Sequence, residues 1–170
     1  HVGRAQTTQE EIRRRTAISQ WTLIAGTWPT FFVIFRQCRD DGGAVRPETL
    51  ERSVTYALAP KATNTIVRRL GAFTAFVDHA VSLGFSPFPI TEDRVFSYFD
   101  MLHRTDAVAG KASSFLQCLN WMRAVLQAVI PEDVHTSSRV KGAAVSLQQK
   151  APEPKRAPAL TVTQVRTWKP

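Results

Sequence analysis

The sequence predicts an all-α fold, and three observations predict it. Apolar residues recur at helical spacing through the centre of the chain, as in Ile66, Leu70, Phe73, Val77 and Ala80. Prolines and glycines fall between such stretches, and no run alternates apolar and polar residues over the length of a strand. With 170 residues and 44% apolar content, the chain can bury one core of ordinary size. The expected architecture is a compact four-helix domain over residues 59–150, with a helical arm over residues 1–58 packed beside it.

The arm begins with a helix expected over residues 7–28. Thr7 or Thr8 stands near its N-cap, Glu10 and Glu11 occupy its first turn, and Ile12, Ile18, Trp21, Ile24, Ala25 and Trp28 form its apolar side. Pro29 breaks or kinks this helix, a second helical piece over 30–37 ends before the turn "RDDGG", and Pro47 opens a short helix through about Leu58. Thr16 to Phe35 carries no charge and is bracketed by Arg13, Arg14, Arg15 and Arg36, which is long enough to span a bilayer. Its four threonines, Ser19, Gln20, Gly26 and Pro29, and the one-sided placing of Trp21, Trp28, Phe31 and Phe35, fit a packing helix better than a membrane span. Were that aromatic stripe exposed, it would dock a protein partner or a second copy of the chain.

Four helices are expected next. "KATNTIVRRLGAFTAFVDHAVSLG" forms the first, with Gly84 placed to stop it. In "SPFPITEDRVFSYFDMLH" two prolines force an extended entry, Thr91 caps, Glu92 and Asp93 favour the helix start, and Val95, Tyr98, Phe99 and Leu102 form the buried face. "GKASSFLQCLNWMRAVLQAVIPED" presents Phe115, Leu119, Met122, Leu126 and Val129 and is closed by Pro131. "SSRVKGAAVSLQQK" is shorter, capped by Ser137 or Ser138, and weakened in its middle by Gly142. Residues 151–160 read as a basic, proline-rich linker. Residues 161–170, with Thr161 as N-cap and Val162 and Val165 behind it, read as the start of a truncated further domain.

No catalytic constellation is present. His1, His79, His103 and His135 are scattered without metal-ligand spacing, and no nucleophile elbow, P-loop or dinucleotide fingerprint occurs. The carboxylate pairs Asp40/Asp41, Glu92/Asp93 and Glu132/Asp133 lie at turns and helix starts, where capping accounts for them. Cys38 and Cys118 sit in apolar helical patterns and read as buried thiols, which points to a reducing, intracellular setting: nucleus in a eukaryote, cytoplasm or nucleoid in a bacterium. Neither a metal nor a cofactor is expected.

Binding features are better represented. The net charge is +8, half of it carried by residues 131–170, where seven Lys/Arg face three Asp/Glu. Such a balance favours polyanions, nucleic acid first. Lys61, Thr63, Asn64 and Thr65 crowd the start of the first core helix, and Arg68 and Arg69 lie one turn on. Lys111, Ser113 and Ser114 repeat the arrangement at the third helix, which also carries Arg123. Arg139 and Lys141 open the fourth, and Lys155 and Arg156 follow in the linker. The plainer reading is that these are ordinary caps and solvated faces. Arg68, Arg69 and Arg123 are the long side chains best placed on helix bodies to reach base edges in a groove.

The order of these pieces, and above all "VKGAAVSLQQKAPEPKRAPALTVTQV", resembles the core-binding domain of the tyrosine recombinases, the phage-integrase-like enzymes of integrating elements. The resemblance covers about Lys61 to Val165 and leaves residues 1–58 without a counterpart. It implies a small helical domain that grips double-stranded DNA, through backbone and major groove, beside a separate catalytic domain during DNA recombination and integration. On matching positions the implied DNA-binding residues are Lys61, Thr63, Asn64, Thr65, Arg68, Arg69, Lys111, Ser113, Ser114, Arg123, Arg139, Lys141, Lys155 and Arg156. The family's catalytic arginines, His-x-x-Arg motif and nucleophilic tyrosine would lie beyond Thr161, so no catalytic role falls on Tyr56, Tyr98 or "HTSSR".

Overall fold

A computed structural model describes residues 2–38, 42–44 and 46–150, with the side chains of residues 2–7, 34 and 37 left outside that description. The expected linker, the helix start at Thr161, and Lys155 and Arg156 lie outside the described residues. Seven α-helices are described: α1 (Val2–Thr27), α2 (Pro47–Leu58), α3 (Thr63–Ser82), α4 (Glu92–Arg104), α5 (Lys111–Val125), α6 (Asp133–Thr136) and α7 (Ser138–Gln149). Two 3₁₀ segments, Pro29–Phe31 and Val33–Cys38, join α1 to α2, and the described residues contain no strand.

Local signals account for most boundaries. The Thr91 hydroxyl accepts from the Arg94 amide to cap α4, and the Ser137 hydroxyl accepts from the Val140 amide to cap α7. Gly84, at φ +80°, supplies the left-handed turn that ends α3. Three expectations need correction. α1 begins at Val2, so Thr7 and Thr8 lie within it and not at its start. The piece over 30–37 is two 3₁₀ turns, because the chain must turn sharply after Pro29.

The third correction concerns α5, which ends at Val125 well before Pro131, with Gln127 in the left-handed region at φ +51°. A long-range pairing overrides the helical pattern there. The Val33 amide donates to the Gln127 carbonyl at 3.1 Å and the Val129 amide to the Phe31 carbonyl at 2.7 Å, forming a bridge between Phe32 and Ala128. Val129 is thus on no helix and is 40% exposed.

The arm and the helices after it share one apolar core. Trp21 and Ala25 of α1, Phe32 and Phe35 of the 3₁₀ segments, and Leu50, Val54 and Leu58 of α2 belong to the same apolar core as Phe73, Phe76, Phe99, Phe115, Met122 and Val140. Trp21 is fully buried, 6.1 Å from the Phe73 ring and 5.3 Å from that of Trp121, and its indole donates to the Ile66 carbonyl. The aromatic stripe is therefore spent inside the chain: Trp21 and Phe35 are buried, and Trp28 and Phe31 are half-buried against Phe88. Among the described residues, no helix is long and apolar enough to cross a membrane.

Two helix pairings place the candidate site. α1 runs parallel to α3, since Arg13 meets Asn64, Trp21 meets Ile66 and Phe73, and Trp28 meets Ser86 just beyond the end of α3. α5 runs antiparallel to α3, since the Cys118 thiol donates to the Arg69 carbonyl while Phe76 stacks on Phe115 at 4.8 Å.

Candidate nucleic-acid interface

The α3–α5 pair has an outward polar face. Asn64, Arg68, Gly71 and Asp78 follow one another at helical spacing along α3 and are all exposed, as are Ser114, Gln117 and Asn120 along α5. Arg69 lies at the seam, where its Nη1 donates to Gln117 Oε1 at 3.4 Å; its buried Nε has no acceptor among the described residues. Antiparallel packing separates the two helix starts that the sequence likened to each other. Lys61 to Thr65 opens α3, whereas Lys111 to Ser114 lies toward the far end of that helix, about 30 Å away for twenty residues. They cannot hold one phosphate together, but they span a length on the scale of one turn of duplex.

Several expected binding residues carry structural bonds. Thr63 is buried, and its hydroxyl accepts from Arg14 Nη1 at 3.1 Å. Arg14 also donates to the carbonyls of Lys61, Leu58 and Ala59, so the α2–α3 turn is closed by a side chain of α1. Ser113 turns back to the Gly110 carbonyl. Arg123 is half-buried and donates to the Ile130 and Pro131 carbonyls, which holds the chain after α5. Arg139 makes two bonds to Glu92, at 2.6 and 2.7 Å, and one to Asp93 at 3.2 Å, with its guanidinium 4.2 Å from the Phe96 ring centre. Hydrogen bonds from Arg139 and then Ser137 hold the Glu92 carboxyl down at a pKa of about 2.

Arg68, Lys111 and Lys141 remain exposed, with no hydrogen-bond or ion-pair partner among the described residues; Asn64 and Ser114 are exposed beside them, and Thr65 is half-buried. Sequence reasoning passed over Arg13. Its exposed guanidinium donates to Asn64 Oδ1 at 2.5 Å, at the start of α3. The run Arg13–Arg14–Arg15 was visible as charge, but it read as the flank of an apolar stretch.

The Cys118 thiol is pushed up to about 12 by burial, and Cys38 is also buried. His79 is packed against Tyr98 with Nε2 3.4 Å from the Ser97 hydroxyl, and burial, then the charge of Arg104, lowers its pKa. Among the described residues no group of three or more His, Cys, Asp or Glu could hold a metal ion. Comparison with protein-family models, with curated proteins and with solved structures finds no match to this chain.

Proposed function

We propose that this chain is a DNA-binding, non-catalytic helical domain that grips duplex DNA through the α3–α5 face, in the manner of the helical half of a tyrosine recombinase. The observation that carries the reading is where charge is left unpaired. The described ion pairs join Arg104 to Asp100, Arg139 to Glu92 and Asp93, and Lys150 to Asp106. None involves Lys61, Arg68, Arg69 or Lys111, nor Arg15, Arg46, Arg52, Arg94 or Lys141; what sets the first four apart is that they lie on or beside the polar face of α3 and α5. The order of motifs from Lys61 onward gives the family its place in the proposal, and the net charge of +8 gives it a driving force. Arg123, half-buried on the Ile130 and Pro131 carbonyls, and Arg139, ion-paired with Glu92 and Asp93, are left out of the contact set.

Binding of the chain to a fluorescein-labelled duplex, followed by anisotropy across salt concentrations, tests this. Affinity should fall linearly on a log-log plot with a slope of about −0.9 per neutralised phosphate. Arg68→Ala with Arg69→Ala should weaken binding more than Arg46→Ala with Arg52→Ala, which removes the same charge from exposed positions around α2. Binding that is undetectable at low ionic strength, or indifferent to salt, would overturn the proposal.

A further inference from the structure

We infer that α1 forms part of the DNA grip: Arg13, acting with Asn64 and Arg68, makes a phosphate clamp that extends the α3–α5 face onto the N-terminal arm. This rests on the proposed function and adds a contact that the recombinase resemblance, which begins at Lys61, does not assign. Arg13 spends one of its five N–H donors on Asn64 Oδ1, which fixes the guanidinium beside the start of α3 and leaves a planar fork of donors facing outward. The Asn64 amide supplies two more donors. Arg68 is four residues beyond Asn64 on the same helix face, with about 6 Å between their Cβ atoms. Two guanidiniums thus flank one amide, a spacing on the scale of neighbouring phosphates along a strand.

One acid stands close: Glu10 precedes Arg13 by three residues on α1 and is exposed, though no ion pair joins it to Arg13 among the described residues. The others lie further off. Glu11 lies on the other flank of α1, where it lines a groove toward α2 with Arg14, Arg15 and Glu51. Asp78, the acid on the α3 face, stands about 20 Å along the helix from Asn64. Positive charge on this face is therefore densest where α1 meets α3, with Arg14 beneath it bonded only to carbonyls and a hydroxyl. Arg13, Arg14 and Arg68 outnumber the single nearby acid, Glu10, and a polyanion supplies the counter-charge for the excess.

The test uses the whole 170-residue chain with a labelled 20-base-pair duplex between about 50 and 200 mM salt. Arg13→Gln should reduce the magnitude of the salt slope by about 0.9 and weaken binding several-fold at the low-salt end. Arg68→Gln should match it, and Arg52→Gln on α2 should leave the slope unchanged. Arg13→Lys should restore the slope but not the full affinity, because charge returns without the fork. An Arg13→Gln chain that binds like Arg52→Gln, while Arg68→Gln is weakened, overturns the clamp and leaves the α3–α5 reading standing. Failure of the unaltered chain to bind overturns both. A lowered melting temperature with unchanged DNA binding would make Arg13 a structural tie and also overturn the clamp.

Discussion

Arg13 and Arg14 are adjacent in sequence and differ in what surrounds them. Arg14 turns inward and donates four hydrogen bonds, to the carbonyls of Leu58, Ala59 and Lys61 and the hydroxyl of Thr63. Those carbonyls end α2 and turn the chain into α3, so Arg14 satisfies acceptors that α2 cannot satisfy itself. Removing it strips the part-buried Lys61 carbonyl and Thr63 hydroxyl of this donor, while the Leu58 carbonyl keeps its bond from the Lys61 amide. Arg14→Ala should therefore lower unfolding free energy by about 2–3 kcal/mol in urea titration, whereas Arg15→Ala, at an exposed position, should stay within about 0.5 kcal/mol. Neither role is legible in "RRR". Periodicity tells which residues share a helix face but not which distant segment lies opposite, and here the opposite segment is some fifty residues away.

Between elements, the clearest tie joins the starts of α4 and α7. Arg139 of α7 pairs with Glu92 and Asp93 of α4, and the Ser137 hydroxyl, which caps α7, also donates to Glu92 at 2.5 Å. Because the Glu92 carboxyl holds a pKa of about 2 against an ordinary 4.5, the folded chain binds fewer protons than the unfolded one between those values. The stabilisation is complete above about pH 4.5 and is lost as pH falls toward about 2. Urea midpoints measured across that window should decline, and Glu92→Gln should flatten the decline while lowering the midpoint at neutral pH. Both caps were legible in the sequence, as was Glu92 at a helix start, since capping is written within three or four residues. The partner of Glu92 was not, and Arg139 consequently read as a DNA contact. The end of α5 failed for a related reason: its apolar spacing continues to Val129, but pairing of Ala128 with Phe32 takes the backbone out of the helix.

At the scale of the whole molecule, the arm and the expected core are one body. Removing residues 1–58 would strip Trp21 from Phe73 and Trp121, and Phe32 from Phe88, exposing a wall of aromatic surface. A 59–150 fragment should accordingly lose the sharp urea transition expected of the full chain and bind a hydrophobic dye. The all-α class and the four longer helices from Thr63 onward were legible because local periodicity carries them, whereas the four-residue α6 was not. The sharing of one core was not, since an aromatic stripe looks the same whether it meets its own chain or another. The parallel packing of α1 on α3 also bears on how the chain is made. Trp21 meets Trp121, one hundred residues later in synthesis. At about 5–20 residues per second the first helix waits on the order of 5–20 s for that neighbour to leave the ribosome. α3 reaches Trp21 first, through Ile66 and Phe73, and α5 completes its cover, so the aromatic side of α1 lacks its full set of neighbours for most of synthesis.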